Sequence, residues 1–228
     1  AALQVWPPHD ELTLLDMPKD RAITDTRRVQ MSAQISPNGE INGSVKDVLV
    51  GAEAIAISRI LGRLTKNEQP RLFERVLIKA VASGRIENFE INEGRHSENK
   101  ALTLTYDFSG KMTFPNRIGC FPIQPGRTFS PLKSRRTPLY LNLPVDQEVV
   151  IRLEMPKGLE IDTSDANIDT NGHRFKRVIK QTGQTVLIKC NLVIKGQHIH
   201  PSNYGDFRTW SHEVDRLEHL NIVRPSRM

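Results

Sequence analysis

The chain has 228 residues, of which 38% are hydrophobic and 25% are charged, a composition within the ordinary range of globular proteins. This composition excludes a disordered chain, and no apolar run approaches the roughly 18 residues of a membrane-spanning helix. The formal net charge of +6 favours an anionic partner. Nucleic acid is not the expected one, because the basic residues are scattered and the densest cluster is only Lys133, Arg135 and Arg136.

The chain begins with a segment that has little periodic pattern. Residues 1–24 are rich in proline and predict a linker that leaves an upstream domain. From residue 25 onward, hydrophobic and polar residues alternate on both sides of the Pro-Asn-Gly sequence at 37–39. This combination predicts a β-hairpin whose second strand is Glu40–Val50, because Asn-Gly tolerates the left-handed backbone of a tight turn.

The hydrophobic spacing then becomes helical. Ala54 and Leu61 belong to an apolar series with intervals of three or four residues, which predicts one helix. A second helix is expected to begin at Pro70, a favourable first-turn residue, and to end at Gly84. Two further strands complete a predicted ββααββ half over residues 25–112: Arg85–Asn92 and Lys100–Phe108.

Residues 113–136 contain repeated prolines and glycines, which predict an irregular connection because proline removes backbone donors. Residues 137–228 follow as an antiparallel β half that ends in a helix from about Tyr204 to His219. The expected strands of this half are 139–143, 148–154, 159–161, 174–180, 184–195 and 220–223. The strands 174–180 and 184–195 are expected to pair as a hairpin across Thr182-Gly183. The predicted fold is therefore α+β and predominantly antiparallel, with sandwich-like sheets, a helical pair in the first half and a C-terminal helix.

Cys120, His173 and Asp206 occur in the order of a Cys-His-Asp catalytic set. A nucleophilic thiolate is usually stabilised by a helix N-terminus or a paired imidazolium. The prolines that follow Cys120 prevent a helix from beginning there, and His173 stands beside a glycine in a predicted turn. We therefore predict no catalytic residue and no cofactor, and expect this chain not to be an enzyme by itself.

The two cysteines do not define a disulfide framework. Cys190 belongs to an alternating apolar series, so its side chain is expected to face a core, whereas Cys120 lies in the irregular connection. A bond between them and two separate thiols are alternatives that the residues leave open.

The most metal-like feature is the pair His198 and His200, whose rings would share one face of an extended segment. His212 and His219 are the candidates for a third ligand. Glu213 follows His212, but the second histidine of the helical zinc-protease motif is missing. We therefore predict no metal site and expect these histidines to be solvated.

Four stretches occur in an order that resembles a known family. They are the Asn-Gly hairpin that leads through Gly51 and Ala54 to Arg59, then Arg136-Thr137-Pro138-Leu139, then Met155-Pro156-Lys157-Gly158-Leu159, then Tyr204-Gly205-Asp206-Phe207-Arg208. Together they span most of residues 25–223. They resemble the β-rich region of unknown function that follows the catalytic core in bacterial secreted transglutaminase-like proteins.

The resemblance implies that the Cys-His-Asp chemistry belongs to a core upstream of residue 1, because none of its three positions has a counterpart here. It also implies a periplasmic or extracellular location, where a bond between Cys120 and Cys190 is permitted. The expected function is a non-catalytic accessory or protein-interaction module, whose partner is the upstream transglutaminase-like domain or another protein. One alternative is a stand-alone extracytoplasmic protein that binds an anionic polymer or glycan, and another is a metal-dependent hydrolase that uses His198 and His200.

Overall fold

The structure is a computed structural model that describes residues 2–3, 14–15, 25–77, 84–96, 99–114, 116–119, 124–141, 144–196 and 198–224. In chain order its elements are β1 (Ala2–Leu3), β2 (Leu14–Leu15), β3 (Asp25–Ile35), β4 (Glu40–Val50), α1 (Ala52–Leu61), α2 (Gln69–Leu77), β5 (Arg85–His96), β6 (Asn99–Lys111), β7 (Asn116–Gly119), α3 (Pro125–Phe129), β8 (Leu139–Tyr140), β9 (Val145–Glu154), β10 (Glu160–Ile161), β11 (Ala166–Thr170), β12 (His173–Thr182), β13 (Thr185–Ile194), β14 (His198–Ile199), a 3₁₀ helix (Pro201–Asn203), α4 (Tyr204–Leu217) and β15 (His219–Val223). The predicted α+β fold, with an early helical pair and a C-terminal helix, is confirmed.

Eight strands form the main sheet in the order β11-β12-β13-β9-β3-β4-β6-β5. Its neighbours are antiparallel except β3 and β9, which run parallel from Asp25 beside Val145 to Gln34 beside Glu154. The predominantly antiparallel arrangement was predicted, but this parallel pair was not. Parallel neighbours require a long crossover, and the chain between β3 and β9 supplies one. Strands from both sides of the connection at 113–136 therefore belong to one continuous sheet, while the proposed domain boundaries stay a prediction.

One face of the main sheet is buried and the other faces solvent. On β9, Val149, Ile151 and Leu153 are buried while Arg152 between them is exposed, the alternation expected of a sheet covered on one side. Helices α1 and α2 cover the buried face near β4, β6 and β5. Helix α4 and a three-stranded sheet of order β10-β15-β7 share a core with β12 and β13, as a two-layer packing requires.

Several predicted features fall partly outside the described residues. Of the predicted linker 1–24, the structure describes only β1 and β2, which pair with each other. Helix α2 is described as far as Leu77. Residues 78–83 lie outside the described residues, so the end of this helix at Gly84 stays a prediction. In the part of the chain that is described, no helix has the length and apolar character needed to cross a membrane.

A buried ion cluster joins β3, β4 and α1. The Arg27 guanidinium donates to Asp47 at 3.0 Å and to Glu53 at 2.6 Å, and Asp25 accepts from the backbone N–H of Ala52 at 2.6 Å, at the start of α1. Burial lowers the pKa of Arg27, but the two carboxylates outweigh it and the net pKa is raised. Burial, with the other nearby carboxylates, raises the pKa of Glu53 despite its bond to Arg27.

A second buried arginine holds the C-terminal elements against the sheet. Arg177 lies on the inward face of β12 and is 3% exposed. Its guanidinium donates to the backbone carbonyls of Ser164, Leu217 and His219, which belong to the loop before β11, the end of α4 and the start of β15. Because the last carbonyls of a helix have no partner within it, Arg177 also caps α4.

Candidate functional site

The structure places His198 and His200 with different partners. His198 pairs with Tyr140 across β14 and β8, and the centres of their rings are 4.1 Å apart. His200 caps the 3₁₀ helix through Nδ1, which accepts from the backbone N–H of Ser202 at 3.4 Å and lies 2.9 Å from its hydroxyl. Within the described ranges, no three His, Cys, Asp or Glu side chains come together as a metal site.

Two of the three residues with the order of a catalytic set are described, and they lie in different environments. His173 is buried on β12, whereas Asp206 is exposed in the first turn of α4. Cys120 lies outside the described residues. Cys190 is buried on β13, as the alternating pattern predicts, and has a free thiol among the described residues. The sequence left open whether Cys190 pairs with Cys120, and that alternative involves a residue outside the described ones.

His173 is a packing residue beneath α4. Its ring centre lies 5.0 Å from that of Phe207 and 5.4 Å from that of Trp210, both on the buried side of α4. Its Nδ1 atom accepts from the backbone N–H of Lys195 at 3.2 Å. Burial, and then the Lys195 ammonium, lower the pKa of His173, while Asp169 opposes this shift. The environment of His173 therefore favours the neutral imidazole over the protonated one.

This lowered pKa predicts a pH dependence of stability. An unfolded histidine has a pKa near 6.5, so below that pH the unfolded chain binds the proton more readily than the folded chain. The contribution of His173 is fully present above about pH 6.5 and is lost as the pH falls toward the folded pKa. We expect urea denaturation to show a larger loss of unfolding free energy between pH 7.5 and 5 in the wild type than in His173→Gln. Equal losses would contradict the lowered pKa.

The feature that stands out on the surface is the loop of residues 131–140, which is anchored on the start of α4. The carbonyl oxygen of Leu132 accepts two hydrogen bonds, from the Tyr204 hydroxyl at 2.8 Å and from Arg208 Nε at 3.0 Å. The Arg135 guanidinium lies 5.8 Å from the centre of the Tyr204 ring, within range of a cation–π contact. At its other end the loop enters β8, which pairs with β14. The loop is therefore fixed at both ends.

The outward side of the loop 131–140 combines apolar and cationic groups. Leu132 is 52% exposed and Tyr140 is 56% exposed. Among the large hydrophobic residues that the structure describes, these two are the most exposed. Lys133 and Arg136 are exposed beside them. A single exposed apolar residue needs no explanation. Tyrosine and arginine are, however, the residue types that most often dominate binding energy at protein interfaces. A loop with this composition can recognise an acidic protein surface that has an apolar recess.

Sequence reasoning identified parts of this site without placing them together. It noted the basic cluster and, separately, the stretches 136–139 and 204–208 that carry the family resemblance. The structure brings the loop against the start of α4, so the basic cluster and the 204–208 stretch form one surface. It missed Leu132 and Tyr140. The available signal was the position of these two residues on either side of the basic cluster.

Comparisons with known proteins add little about activity. No curated protein matches the chain. A crystal structure of a protein from Parabacteroides distasonis ATCC 8503, described as a candidate protease, aligns with 89% of this chain and 100% of its own chain. The sequence identity is 8% and the TM-score is 0.39. A likeness this weak supports no statement about the chemistry of the present chain.

A family model matches the second part of the chain. The matched residues, 116–223, include the loop 131–140, helix α4 and all three strands of the small sheet. Residues 116–223 are thus similar to DUF3858, a family described as a domain of unknown function with a solved structure.

Proposed function

We propose that this chain is a non-catalytic accessory module that docks on a transglutaminase-like domain through the loop 131–140. The proposal places the module in the periplasm or outside the cell. The resemblance of the four sequence stretches supports the identity of the partner. The exposed, anchored loop supports docking as the mode of action.

The observation that carries the proposal is the fixed backbone of the loop beneath its exposed side chains. Association costs conformational entropy when flexible segments become ordered. Here the Leu132 carbonyl is already held by two donors from α4, so the side chains of Leu132, Lys133 and Arg136 project from an ordered backbone. A preorganised surface of this kind loses little entropy on binding.

The composition of the loop defines the partner surface. Tyr140 and Leu132 require an apolar recess that excludes water, and Lys133 and Arg136 require carboxylates at its rim. Charges at the rim of an interface mainly accelerate association and set its dependence on salt. An aromatic anchor that becomes buried in the complex mainly determines how slowly the complex dissociates. In this proposal the module supplies binding and the partner domain supplies the chemistry.

The test is the affinity between this chain and the transglutaminase-like domain of the same protein, measured by isothermal titration calorimetry. Tyr140→Ala is expected to weaken binding by about tenfold or more, because truncating an aromatic anchor removes a large share of the binding energy of an interface. Ile60→Ala is the control, because Ile60 is 45% exposed on α1, a helix that packs on β4 and β6. It is expected to leave the affinity unchanged, and both variants should unfold near the wild-type urea midpoint.

Two results would contradict the proposal. One is equal affinity of wild type and Tyr140→Ala for the partner domain, which would remove the loop from the interface. The other is a complete reading frame that encodes no transglutaminase-like domain, which would remove the partner.

A further inference from the structure

On the open face of the main sheet, the β12–β13 hairpin carries three lysines that lack carboxylate partners among the described residues. Lys176 and Lys180 lie on the outward side of β12, and Lys189 lies on the outward side of β13 opposite Val178. All three are exposed. Among the described residues, none of the three ammonium groups has an ion-pair partner. We call these residues the lysine strip.

The acidic side chains of the neighbouring strand β9 are already paired with arginines. Arg28 on β3 binds Asp146 at 2.9 Å and lies 3.6 Å from Glu148. Arg152 on β9 binds Glu154 at 3.0 Å. The acids of β9 are therefore occupied by arginines and do not pair with the lysine strip. An exposed group of like charges attracts a ligand of the opposite sign.

The strand geometry gives the lysine strip a linear shape. Side chains four residues apart on one face of a strand are separated by about 13–14 Å, so Lys176 and Lys180 mark the two ends. Lys189 stands midway between them on the adjacent strand, about 5 Å to the side. The half-buried side chain of Val178 lies between Lys176 and Lys180, and that of Leu187 lies opposite Lys180 and next to Lys189 on β13. The hairpin holds this spacing through nine registered residue pairs.

We infer that the lysine strip binds an acidic polysaccharide, that is, a chain with a carboxylate or sulfate on each repeat. A row of separated charges fits a chain that presents anions at regular intervals, and the aliphatic groups between the lysines can contact the C–H faces of sugar rings. Single-stranded nucleic acid is disfavoured, because its recognition relies on aromatic side chains on which bases stack and the lysine strip contains none. This site is separate from the loop 131–140 and does not depend on the docking proposal.

The experiment compares two charge-matched variants by fluorescence anisotropy with a labelled alginate oligomer and with a labelled heparin oligosaccharide. The first variant carries Lys176→Glu, Lys180→Glu and Lys189→Glu. The second carries Lys66→Glu, Lys111→Glu and Lys157→Glu, at three exposed lysines elsewhere on the surface. Both have the same net charge, so only the position of the charges differs. Surface changes of this kind alter stability by roughly 0.5 kcal/mol or less, which urea denaturation will check.

The strip variant is expected to lose affinity at least about tenfold at low salt, and its affinity should depend less steeply on salt, because fewer counterions are released. The control variant is expected to stay within about twofold of wild type. Equal losses in the two variants would show attraction to net charge only and would overturn the inference. Tighter binding of wild type to an oligo-dT of matched charge, or to vesicles of anionic lipid, would also overturn it.

Discussion

Replacing Arg27 with methionine is expected to lower the free energy of unfolding by about 3–5 kcal/mol, the cost of leaving buried charges without their partner. Asp47 and Glu53 both receive hydrogen bonds from this guanidinium, and the Arg27 and Asp47 side chains are only 12% and 6% exposed. Without Arg27, two carboxylates must be desolvated together or take up protons on folding. Urea denaturation at pH 7 measures the change.

Arg28 provides a matched control one residue away on the opposite face of β3. Its side chain is 41% exposed and pairs with Asp146 and Glu148. Ion pairs in this setting contribute about 1 kcal/mol or less, so Arg28→Met should have a small effect. Adding Glu53→Gln to Arg27→Met should recover part of the lost stability, because one unpaired carboxylate is removed. Equal destabilisation by Arg27→Met and Arg28→Met would contradict the role of the buried cluster.

Arg177→Met is expected to lower the free energy of unfolding by roughly 2–4 kcal/mol, because buried carbonyls lose a charged donor. Three backbone carbonyls depend on this guanidinium, and two of them belong to the junction between α4 and β15. The effect should therefore be local as well as global. Relative to the wild type, Arg177→Met should accelerate amide hydrogen exchange more in β15 and in the last turn of α4 than in β3 or β4.

Arg174 is the control for this second change. It lies on the exposed side of β12, and its contact with Asn191 is 3.5 Å long. Arg174→Met should change stability by about 0.5 kcal/mol or less. If Arg177→Met left the exchange of β15 unchanged, the guanidinium would not be what holds the C-terminal elements on the sheet.

The hairpins could be predicted from local sequence because turn residues act locally. The 37–39 turn and the β12–β13 turn occur where they were expected, with positive φ at Gly39 and Gly183. Glycine adopts this backbone at no steric cost. The parallel pairing of β3 with β9 could not be predicted, since an alternating pattern shows which side of a strand is buried but not which strand lies beside it.

Buried polar residues were the other limit of prediction. Alternation marks position 147 of β9 and position 177 of β12 as inward, yet Gln147 and Arg177 occupy them. The acceptors of Arg177 are distant in sequence, so no local pattern announces them. Among the residues that the structure describes, the buried side-chain amide of Gln147 has no hydrogen-bond partner. The position of the loop 131–140 could not be predicted for the same reason, because the residues that anchor Leu132 on α4 are 72 and 76 positions away in the sequence.

The most direct test of docking through the loop 131–140 is site-specific photocrosslinking in the full-length protein. The photoreactive residue p-benzoylphenylalanine would replace Tyr140, and in a control protein it would replace Ile60 on α1. The proposal predicts that irradiation joins position 140, but not position 60, to a peptide of the transglutaminase-like domain identified by mass spectrometry. Adducts to that domain from both positions in equal yield, or from position 60 alone, would contradict it.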